Sequence, residues 1–271
     1  MRPVASMELF GFGICSVLLS GGTLYAGPMD KTPVNVGGLI YFAENADRDW
    51  SLGLKGDPPC IYHFEVRPGD RWVQEMQKDT VERSELHGPI DNSNPARFDA
   101  ETWTAYQFRI EPGPASTARW VVLGDWHVRP DPGDIAMMSS PWQLELRAGD
   151  VLVFDIRVSD EKPVRDVAPE RHIYTSPAPV TRGVWHSLVS VADFDWRPQG
   201  NGGVTVWFDG KEIVNYRGPF GYITTRPDYF KFGIYRSAAP EALAVDYTNV
   251  EISRTSLAAR IRSPQPVCAM K

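Results

Sequence analysis

Short segments in which apolar and polar residues alternate recur along this chain of 271 residues. The clearest two lie at residues 204–208 and 211–216, with Asp209 and Gly210 between them. Two alternating segments joined by Asp-Gly predict a β-hairpin with a two-residue turn. No helical period is sustained over three turns, apart from an amphipathic pattern at residues 71–79. The chain is therefore expected to fold almost entirely into β-strands.

Further segments of the same character predict the remaining strands. They lie at residues 38–42, 60–66, 80–88, 102–110, 120–129, 142–146, 151–158, 185–191, 229–236 and 243–252. Residues 160–182 are charged and contain proline, so they predict a loop. Because no domain-breaking linker interrupts the series, residues 27–271 are expected to form a single domain. The predicted fold is an all-β, concanavalin-like jelly-roll sandwich of two antiparallel sheets, one of them concave with an outward face that forms a groove.

The N-terminus has the pattern of an export signal. Arg2 precedes an apolar stretch at residues 9–19, and small residues follow, ending at Ala26. The apolar stretch is short for a membrane span, which needs about 20 residues. We therefore expect residues 1–26 to be a signal peptide and the mature chain to be periplasmic or secreted, with a retained anchor as the alternative.

Removal of that segment would leave two cysteines, Cys60 and Cys268, because Cys15 lies inside it. In an exported protein an even pair permits one disulfide, which here would tie the C-terminal tail to an early segment. Two free thiols fit the sequence equally well.

The net charge of the chain is −6, which gives no overall basic field. Nucleic acid is therefore not expected as a partner, since binding a phosphate backbone needs a basic surface. A polyanionic ligand would have to be held by a local cluster of Arg and Lys. The protein is expected to be a monomer.

The segment at residues 229–236 is interpreted as the strand around which the fold is organised. Its side chains divide into an apolar face, Phe230, Phe232 and Ile234, and an opposite face, Tyr229, Lys231, Gly233 and Tyr235. A glycine in the middle of a strand often marks a close approach to the backbone. The second face therefore predicts a functional surface with an ammonium group and two phenols, an ordinary half-buried strand being the alternative.

Three other predicted strands carry charged or polar residues on one face. These residues are Arg83 and Glu85, then Asp125, His127 and Arg129, and finally Gln143 and Glu145. Gathered on a concave sheet with Lys231 and Tyr235, they would form a groove suited to an acidic polymer. Each also has an ordinary interpretation, since His127 could be a structural strand residue and Arg83 could form a surface ion pair of little energetic value.

Three segments, in order along the chain, resemble motifs of the jelly-roll polysaccharide lyases, a group that includes alginate lyases and heparin-lyase-like enzymes. They are Arg-Ser-Glu-Leu at 83–86, Asp-Trp-His at 125–127 and Tyr-Phe-Lys-Phe-Gly-Ile-Tyr at 229–235, and the matched elements span most of residues 60–252. The last motif is the most specific. In the second motif the family has Gln where this chain has Asp125. An ionised Asp cannot help to neutralise a substrate carboxylate. Asp125 is therefore either protonated, or has another role such as orienting His127 or a cation, or the motif aligns one residue away.

The resemblance implies β-elimination on an acidic, uronate-containing polysaccharide. Arg83 would bind and neutralise the carboxylate, while His127 and Tyr235 would act as base and acid, with roles that depend on the sugar epimer. The residues implied in substrate binding are Lys231, Glu85, Asp125, Arg129 and Tyr229.

No cofactor is expected for this chemistry. Two groups of acidic residues are weak candidates for Ca²⁺ because their spacing matches no defined calcium loop. They are Asp131 with Asp134, and Glu44 with Asp47 and Asp49.

Two other functions stay open at this point. A jelly-roll glycoside hydrolase would need two carboxyl groups about 5–10 Å apart, for which the sequence suggests only Glu85 and Glu145. A non-catalytic, lectin-like module would bind sugar without turnover, and Asp125 is the best argument for it.

Overall fold

The computed structural model describes residues 33–72, 80–88, 94–96, 100–135 and 138–268. The strands in chain order are β1 (Val34–Val36), β2 (Leu39–Asn45), β3 (Leu52–Lys55), β4 (Ile61–Val66), β5 (Val81–Gly88), β6 (Thr102–Ile110), β7 (Trp120–His127), β8 (Trp142–Arg147), β9 (Val151–Ile156), β10 (Val158–Ser159), β11 (Arg171–Pro179), β12 (His186–Asp193), β13 (Gly203–Phe208), β14 (Lys211–Arg217), β15 (Gly221–Tyr222), β16 (Tyr229–Ser237) and β17 (Leu243–Ser253). The described helix is α1 (Ala259–Arg262). The predicted signal peptide and most of the amphipathic pattern at 71–79 lie outside the described residues.

Two large antiparallel sheets form the fold. One has eight strands in the order β1-β2-β5-β16-β7-β8-β9-β11, and the other has seven in the order β14-β13-β12-β6-β17-β4-β3. A separate pair, β10 and β15, is parallel. The predicted all-β sandwich of jelly-roll type is confirmed.

The core lies between the two sheets and is rich in aromatic side chains. Its fully buried members include Phe64, Phe108, Trp126, Phe230 and Tyr247. Edge-to-face contacts join rings across the layers, as where Phe64 and Phe232 lie 5.6 Å apart at their centroids. Large buried rings of this kind dominate the energetics of a core because each removes a large apolar area from water.

The strand predicted to organise the fold, β16, lies in the middle of the eight-stranded sheet between β5 and β7. Its apolar residues Phe230, Phe232 and Ile234 are fully buried in the core. The alternate side chains therefore point away from the core, as the period of two requires.

The predicted hairpin joins β13 and β14 through Asp209 and Gly210. Both turn residues have positive φ, 49° for Asp209 and 78° for Gly210. A two-residue turn with two positive φ angles matches the twist of the flanking strands, and Asp-Gly tolerates it.

The prediction of a loop throughout residues 160–182 is wrong, because β11 lies within this range. β11 is an edge strand that pairs only with β9, and most of its residues are exposed. A strand with little buried surface needs no apolar alternation, and an edge position tolerates Pro177. The pattern that reveals buried strands is therefore missing from it.

An irregular register crosses the middle of the eight-stranded sheet. On β16 the residues Phe232 and Tyr235 pair with Gly124 and Val122, so two residues of β16 stand against Leu123 alone. The hydroxyl of Tyr247, from the opposite sheet, lies 2.7 Å from the Leu123 carbonyl oxygen and 2.9 Å from that of Gly233. The buried hydroxyl is thus placed to donate to the backbone carbonyl groups at the bulge. Burying these acceptors without a donor would be costly.

Cys60 and Cys268 form a disulfide that links residues 208 positions apart. Of the two alternatives left open by the sequence, the bridge is the one observed. It fastens the C-terminal tail beside the start of β4. Among the described residues no helix is long and apolar enough to span a membrane.

Candidate active site

A groove of about 610 Å³ lies on the face of the eight-stranded sheet that points away from the core. Seven of the eight residues proposed from the sequence line it: Arg83, Glu85, Asp125, His127, Tyr229, Lys231 and Tyr235. Arg129 is not among the lining residues, and its guanidinium lies 5.5 Å from the centroid of the Tyr229 ring. The alternation of β5, β7 and β16 therefore brings the three motifs onto one surface.

Direct cross-strand pairing sets the positions of the motif residues. Tyr235 on β16 lies opposite Arg83 on β5. On its other side, β16 places Lys231 opposite Asp125 and Tyr229 opposite His127. Because paired residues have neighbouring Cβ atoms, the sheet register itself assembles the site.

Two cations and two carboxylates form a buried ion cluster in the middle of the groove, here called the ion quartet: Arg83, Lys231, Glu44 and Glu85. Lys231 Nζ lies 2.7 Å from Glu44 and 3.1 Å from Glu85. Arg83 pairs with Glu44 through a short contact and lies 3.4 Å from Glu85. The charges of the quartet balance, which makes burial of all four tolerable.

The quartet shifts the pKa values of its members in opposite directions. Against the effect of burial, Lys231 and Arg83 hold the pKa of Glu44 well below its usual range. Burial raises the pKa of Glu85 despite the same two cations. Against the effect of burial, Glu85 and Glu44 raise the pKa of Lys231. Lys231 is therefore a fixed positive charge at the groove.

Asp125 is a buried carboxyl beside the quartet, with 3% of its surface exposed. Ser140 Oγ donates a short hydrogen bond to Asp125 Oδ2. Burial raises the pKa of Asp125, an effect only partly offset by Lys231. The side chain thus favours its neutral form more than an ordinary aspartate does.

His127 holds a neutral imidazole toward the groove. Its Nδ1 lies 2.9 Å from the carbonyl oxygen of Val128, so the tautomer with the proton on Nδ1 donates there and leaves Nε2 as the acceptor. Burial, together with Lys231, lowers the pKa of His127 to about 4. The ring stacks on Tyr229 with centroids 5.3 Å apart. Burial raises the pKa of Tyr229 to about 12, so this phenol keeps its proton.

Tyr235 is held by packing on its ring. The guanidinium of Arg83 lies 3.9 Å from the Tyr235 centroid, and the Trp120 ring contacts Tyr235 edge-on at 4.9 Å. Trp72 lies 5.7 Å from the same guanidinium. Cation–π contact and aromatic packing together fix the orientation of the phenol in the groove.

The structure explains why position 233 is a glycine, and the explanation is not the close approach of a ligand. Its φ is +134°, and a Cβ placed on it would lie 2.5 Å from the Ser84 carbonyl oxygen and 2.7 Å from Glu85 Cα. The close neighbour is therefore the backbone of β5, and any side chain at this position would push the two central strands apart.

Sequence reasoning missed several residues that line the groove. They are Glu44, Trp72, Trp120, Arg147, Arg157 and Glu170. Glu44 was considered only as a calcium candidate, because the predicted strand ended at Phe42. Extending β2 to Asn45 places Glu44 on the same face as Phe42, which the period of two would have shown.

The far end of the groove holds a second group of charged residues on β8 and the strands beside it. Arg147 lies 3.0 Å from Glu145 and bonds Glu170, and Arg157 lies 2.6 Å from Glu170. Gln143 accepts a short hydrogen bond from Arg157. Burial raises the pKa of Glu145 to about 7, so its charge changes near neutral pH.

Carboxyl groups outnumber cationic side chains among the described residues that line the groove. The described lining has four cationic side chains and five carboxyl groups: Arg83, Arg147, Arg157 and Lys231, and Glu44, Glu85, Asp125, Glu145 and Glu170. The groove becomes a positive surface only when some of the buried carboxyl groups carry protons.

Two clusters in the described part of the chain could each offer three metal ligands: His63, Glu111 and Asp246, and Asp155, Glu170 and His172. Cations already neutralise both, since Asp246 lies 2.6 Å from Arg109 and Asp155 lies 3.3 Å from Arg147. Of the calcium candidates, Asp131 is bound by Lys162 at 2.7 Å. We assign no metal to these carboxylates.

Comparison with solved structures shows the same fold. The endo-β-1,4-glucuronan lyase from the fungus Trichoderma reesei is 14% identical with a TM-score of 0.56, over 87% of this chain and 92% of that one. An alginate lyase mutant, Aly36B with alginate trisaccharide, is 9% identical with a TM-score of 0.54, over 83% and 98%. The alginate lyase AlyC3 is 13% identical with a TM-score of 0.51, over 75% and 78%. At such identities the likeness concerns the fold.

Sequence comparison gives the family. No match to a curated protein was found. The family model described as polysaccharide lyase matches residues 40–254, which include all three motifs and every strand that builds the groove's centre. Since this match spans most of the chain, the protein belongs to the polysaccharide lyase family and is a polysaccharide lyase.

Proposed function

We propose that this lyase cleaves a uronate-containing polysaccharide by β-elimination in the groove centred on β16. The observation that carries the proposal is the meeting of Arg83, His127 and Tyr235 in one groove beside Lys231. These are the residue types that such an elimination needs: a fixed cation, a neutral base and a phenolic acid.

Neutralisation of the substrate carboxylate is the first requirement. The C5 proton of a uronate is acidified only by the C6 carboxyl group, and its removal places a second negative charge on an already ionised unit. Preorganised cations and donors lower this barrier. Arg83 contributes a planar fork of N–H donors, and Lys231 contributes a fixed positive charge.

Proton transfer is the second requirement. His127 takes the C5 proton on its free ring nitrogen, the C5–H electrons form the C4–C5 double bond, and the C4–O4 bond breaks. Tyr235 gives its proton to the departing O4. In the opposite epimer the C5 proton lies on the other face of the sugar. There Tyr235 would act as the base and take this proton. No electron acceptor or cofactor is required, because elimination leaves the overall oxidation state unchanged.

The carboxylate requirement and the fold relatives support the proposed substrate class. One of them is a glucuronan lyase, and others are alginate lyases. We place the substrate of this chain among polyuronates and leave glycosaminoglycans, which share the same C5–C6 unit, in the test panel.

Export is supported by the Cys60–Cys268 disulfide, because such bonds persist in oxidising compartments. We propose that the mature protein is a periplasmic or secreted monomer from which residues 1–26 have been cleaved. N-terminal sequencing of protein from each cell fraction would show a mature chain beginning at Gly27. An intact N-terminus on protein confined to the cytoplasm would contradict export.

An ultraviolet absorbance assay on a panel of polyuronates and glycosaminoglycans tests the reaction. Elimination leaves a double bond conjugated to the carboxylate, so absorbance rises with each cleavage. The proposal predicts this rise on at least one polyuronate. New reducing ends without absorbance would indicate hydrolysis, and binding without either signal would contradict turnover of these polymers.

A further inference from the structure

We propose that Asp125 is held as a protonated carboxylic acid that donates a hydrogen bond to the carboxylate of the bound sugar. The lyase would then bind its substrate only while Asp125 keeps its proton. This inference rests on the proposed function, since it assigns the donor that receives the uronate.

The ion quartet leaves Asp125 without an ion-pair partner of its own. Lys231 lies directly opposite Asp125 in the sheet, yet its ammonium group pairs with Glu44 and Glu85. Arg83 pairs with the same two carboxylates. Within the described ranges Asp125 forms no ion pair, so the quartet is balanced and Asp125 is the extra acid.

An ionised Asp125 would be expensive in this position. A buried carboxylate without a paired cation loses its hydration, and unpaired charges nearby compensate that loss only in part, so the usual outcome is that it takes up a proton. Burial raises the pKa of Asp125 in agreement with this geometry. Burial also raises the pKa of Glu85, but Lys231 lies 3.1 Å from this carboxylate and stabilises its charge.

Several charged and titratable groups face Asp125 from the elements around it. They are Lys231 and Tyr229 on β16, Arg83 and Glu85 on β5, Glu44 on β2, His127 on β7, Tyr106 on β6 and Arg157 after β9. Burial lowers the pKa of His127 to about 4, so this neighbour brings no positive charge at neutral pH. A substrate carboxylate entering here would add a further negative charge, which favours the protonated acid still more.

The hydrogen bonding of Asp125 leaves one oxygen for the proton. Ser140 Oγ donates to Asp125 Oδ2. Oδ1 makes no hydrogen bond to any residue that the structure describes, and Asp125 lines the groove beside His127. A proton on Oδ1 would turn this oxygen into a donor for a carboxylate. The proton stays on Asp125 through the elimination, while the hydrogen bond strengthens as charge builds on the sugar carboxyl group.

The protonation state can be read without any substrate. Protein labelled with ¹³C at the aspartate carboxyl carbon gives a signal for Asp125, identified by its loss in Asp125→Asn. We expect that signal to keep the chemical shift of a carboxylic acid at neutral pH and to move only at more alkaline pH. A carboxylate shift at neutral pH would overturn the proposal, whatever the polymer panel shows.

Two variants test the donor role on whichever polyuronate gives elimination. Asp125→Asn keeps a donor and an acceptor in the same place, so it should retain kcat/KM within about 10-fold and lack the fall in kcat/KM at alkaline pH that we expect of wild type. Asp125→Ala removes the donor and should lower kcat/KM by about 10- to 100-fold. If Asp125→Asn is as impaired as Asp125→Ala while both remain folded, Asp125 acts as a carboxylate and the proposal fails.

The two sets of results separate the inference from the function it rests on. Absence of elimination on every polymer would sink the proposed substrate class but leave the ¹³C measurement informative. Elimination with an ionised Asp125 would instead keep the function and remove only this role.

Discussion

The guanidinium of Arg83 lies 3.9 Å from the centre of the Tyr235 ring, directly across from it in the sheet. In the proposed mechanism this one side chain has two tasks. It would provide positive charge for a substrate carboxylate, and it would orient the phenol that acts as the acid. Binding and proton transfer are thus expected to fail together when this side chain changes.

Arg83→Lys tests that coupling. Lysine keeps the charge but loses the planar fork and the stacking on Tyr235, so we expect kcat/KM to fall by about 100-fold or more. Arg67 makes an equivalent contact outside the groove, 3.9 Å from the Trp50 centroid, and Arg67→Lys is the matched control. Steady-state kinetics should separate the two variants, and equal activities for both would refute the role of Arg83.

The acid side of the pH–rate profile reports on His127. Since burial lowers the pKa of His127 to about 4, the base stays unprotonated well below the range of an ordinary histidine. We expect kcat/KM to be lost only as the pH falls through about 4, rather than through ~6.5. His127→Gln should lose activity at every pH. A profile already falling near the ordinary histidine pKa would mean that a different base is at work.

Glu145 should make stability depend on pH. Its pKa in the folded protein, about 7, exceeds the usual value, so folding favours the protonated form. The free energy of unfolding should therefore fall by about 3 kcal/mol as the pH rises from the unfolded pKa through about 7. Urea unfolding of Glu145→Gln should lack this fall. Glu101→Gln, at an exposed position, should unfold like wild type. If the free energy of unfolding of Glu145→Gln falls with pH as it does in wild type, the expectation is contradicted.

The disulfide should account for a measurable share of the stability. Replacing both Cys60 and Cys268 by Ala frees the C-terminal tail and removes a crosslink over 208 positions. Loss of about 2–5 kcal/mol is expected in denaturant unfolding. Reduction of wild type should give a similar loss. If neither treatment changes the unfolding midpoint, the bridge does not contribute to stability.

The period of two allowed most of the groove to be predicted. Phe230 and Phe232 had to be buried if β16 was a strand, which left Lys231 and Tyr235 on the other face. The same rule placed Gln143 and Glu145 in the groove. These predictions needed only the alternation of side chains along a strand.

Register and bulges could not be predicted in this way. Alternation through β7 would place Val121 and Leu123 beside Asp125, yet both lie in the core, and Trp120 and Val122 line the groove. The bulge changes the phase of the strand and depends on contacts with β8 and β16, which are distant in sequence.

The ion quartet was beyond sequence reasoning for a related reason. Glu44 and Lys231 are 187 positions apart and meet only because β2 and β16 flank β5. The sequence identified Asp125 as unusual but could not show that its potential partner, Lys231, is already paired. Charge balance of this kind emerges only when the sheet order is known.

Tyr235→Phe tests the central claim most directly, because it removes one hydroxyl and leaves the ring that packs on Arg83 and Trp120. Absorbance from elimination and polymer binding by affinity electrophoresis would be measured together, with Tyr229→Phe as the matched phenol control. We predict that Tyr235→Phe binds the polymer but loses at least about 100-fold in kcat, while Tyr229→Phe stays within about 10-fold of wild type. Wild-type turnover in Tyr235→Phe would contradict the assignment of this groove as the site of elimination.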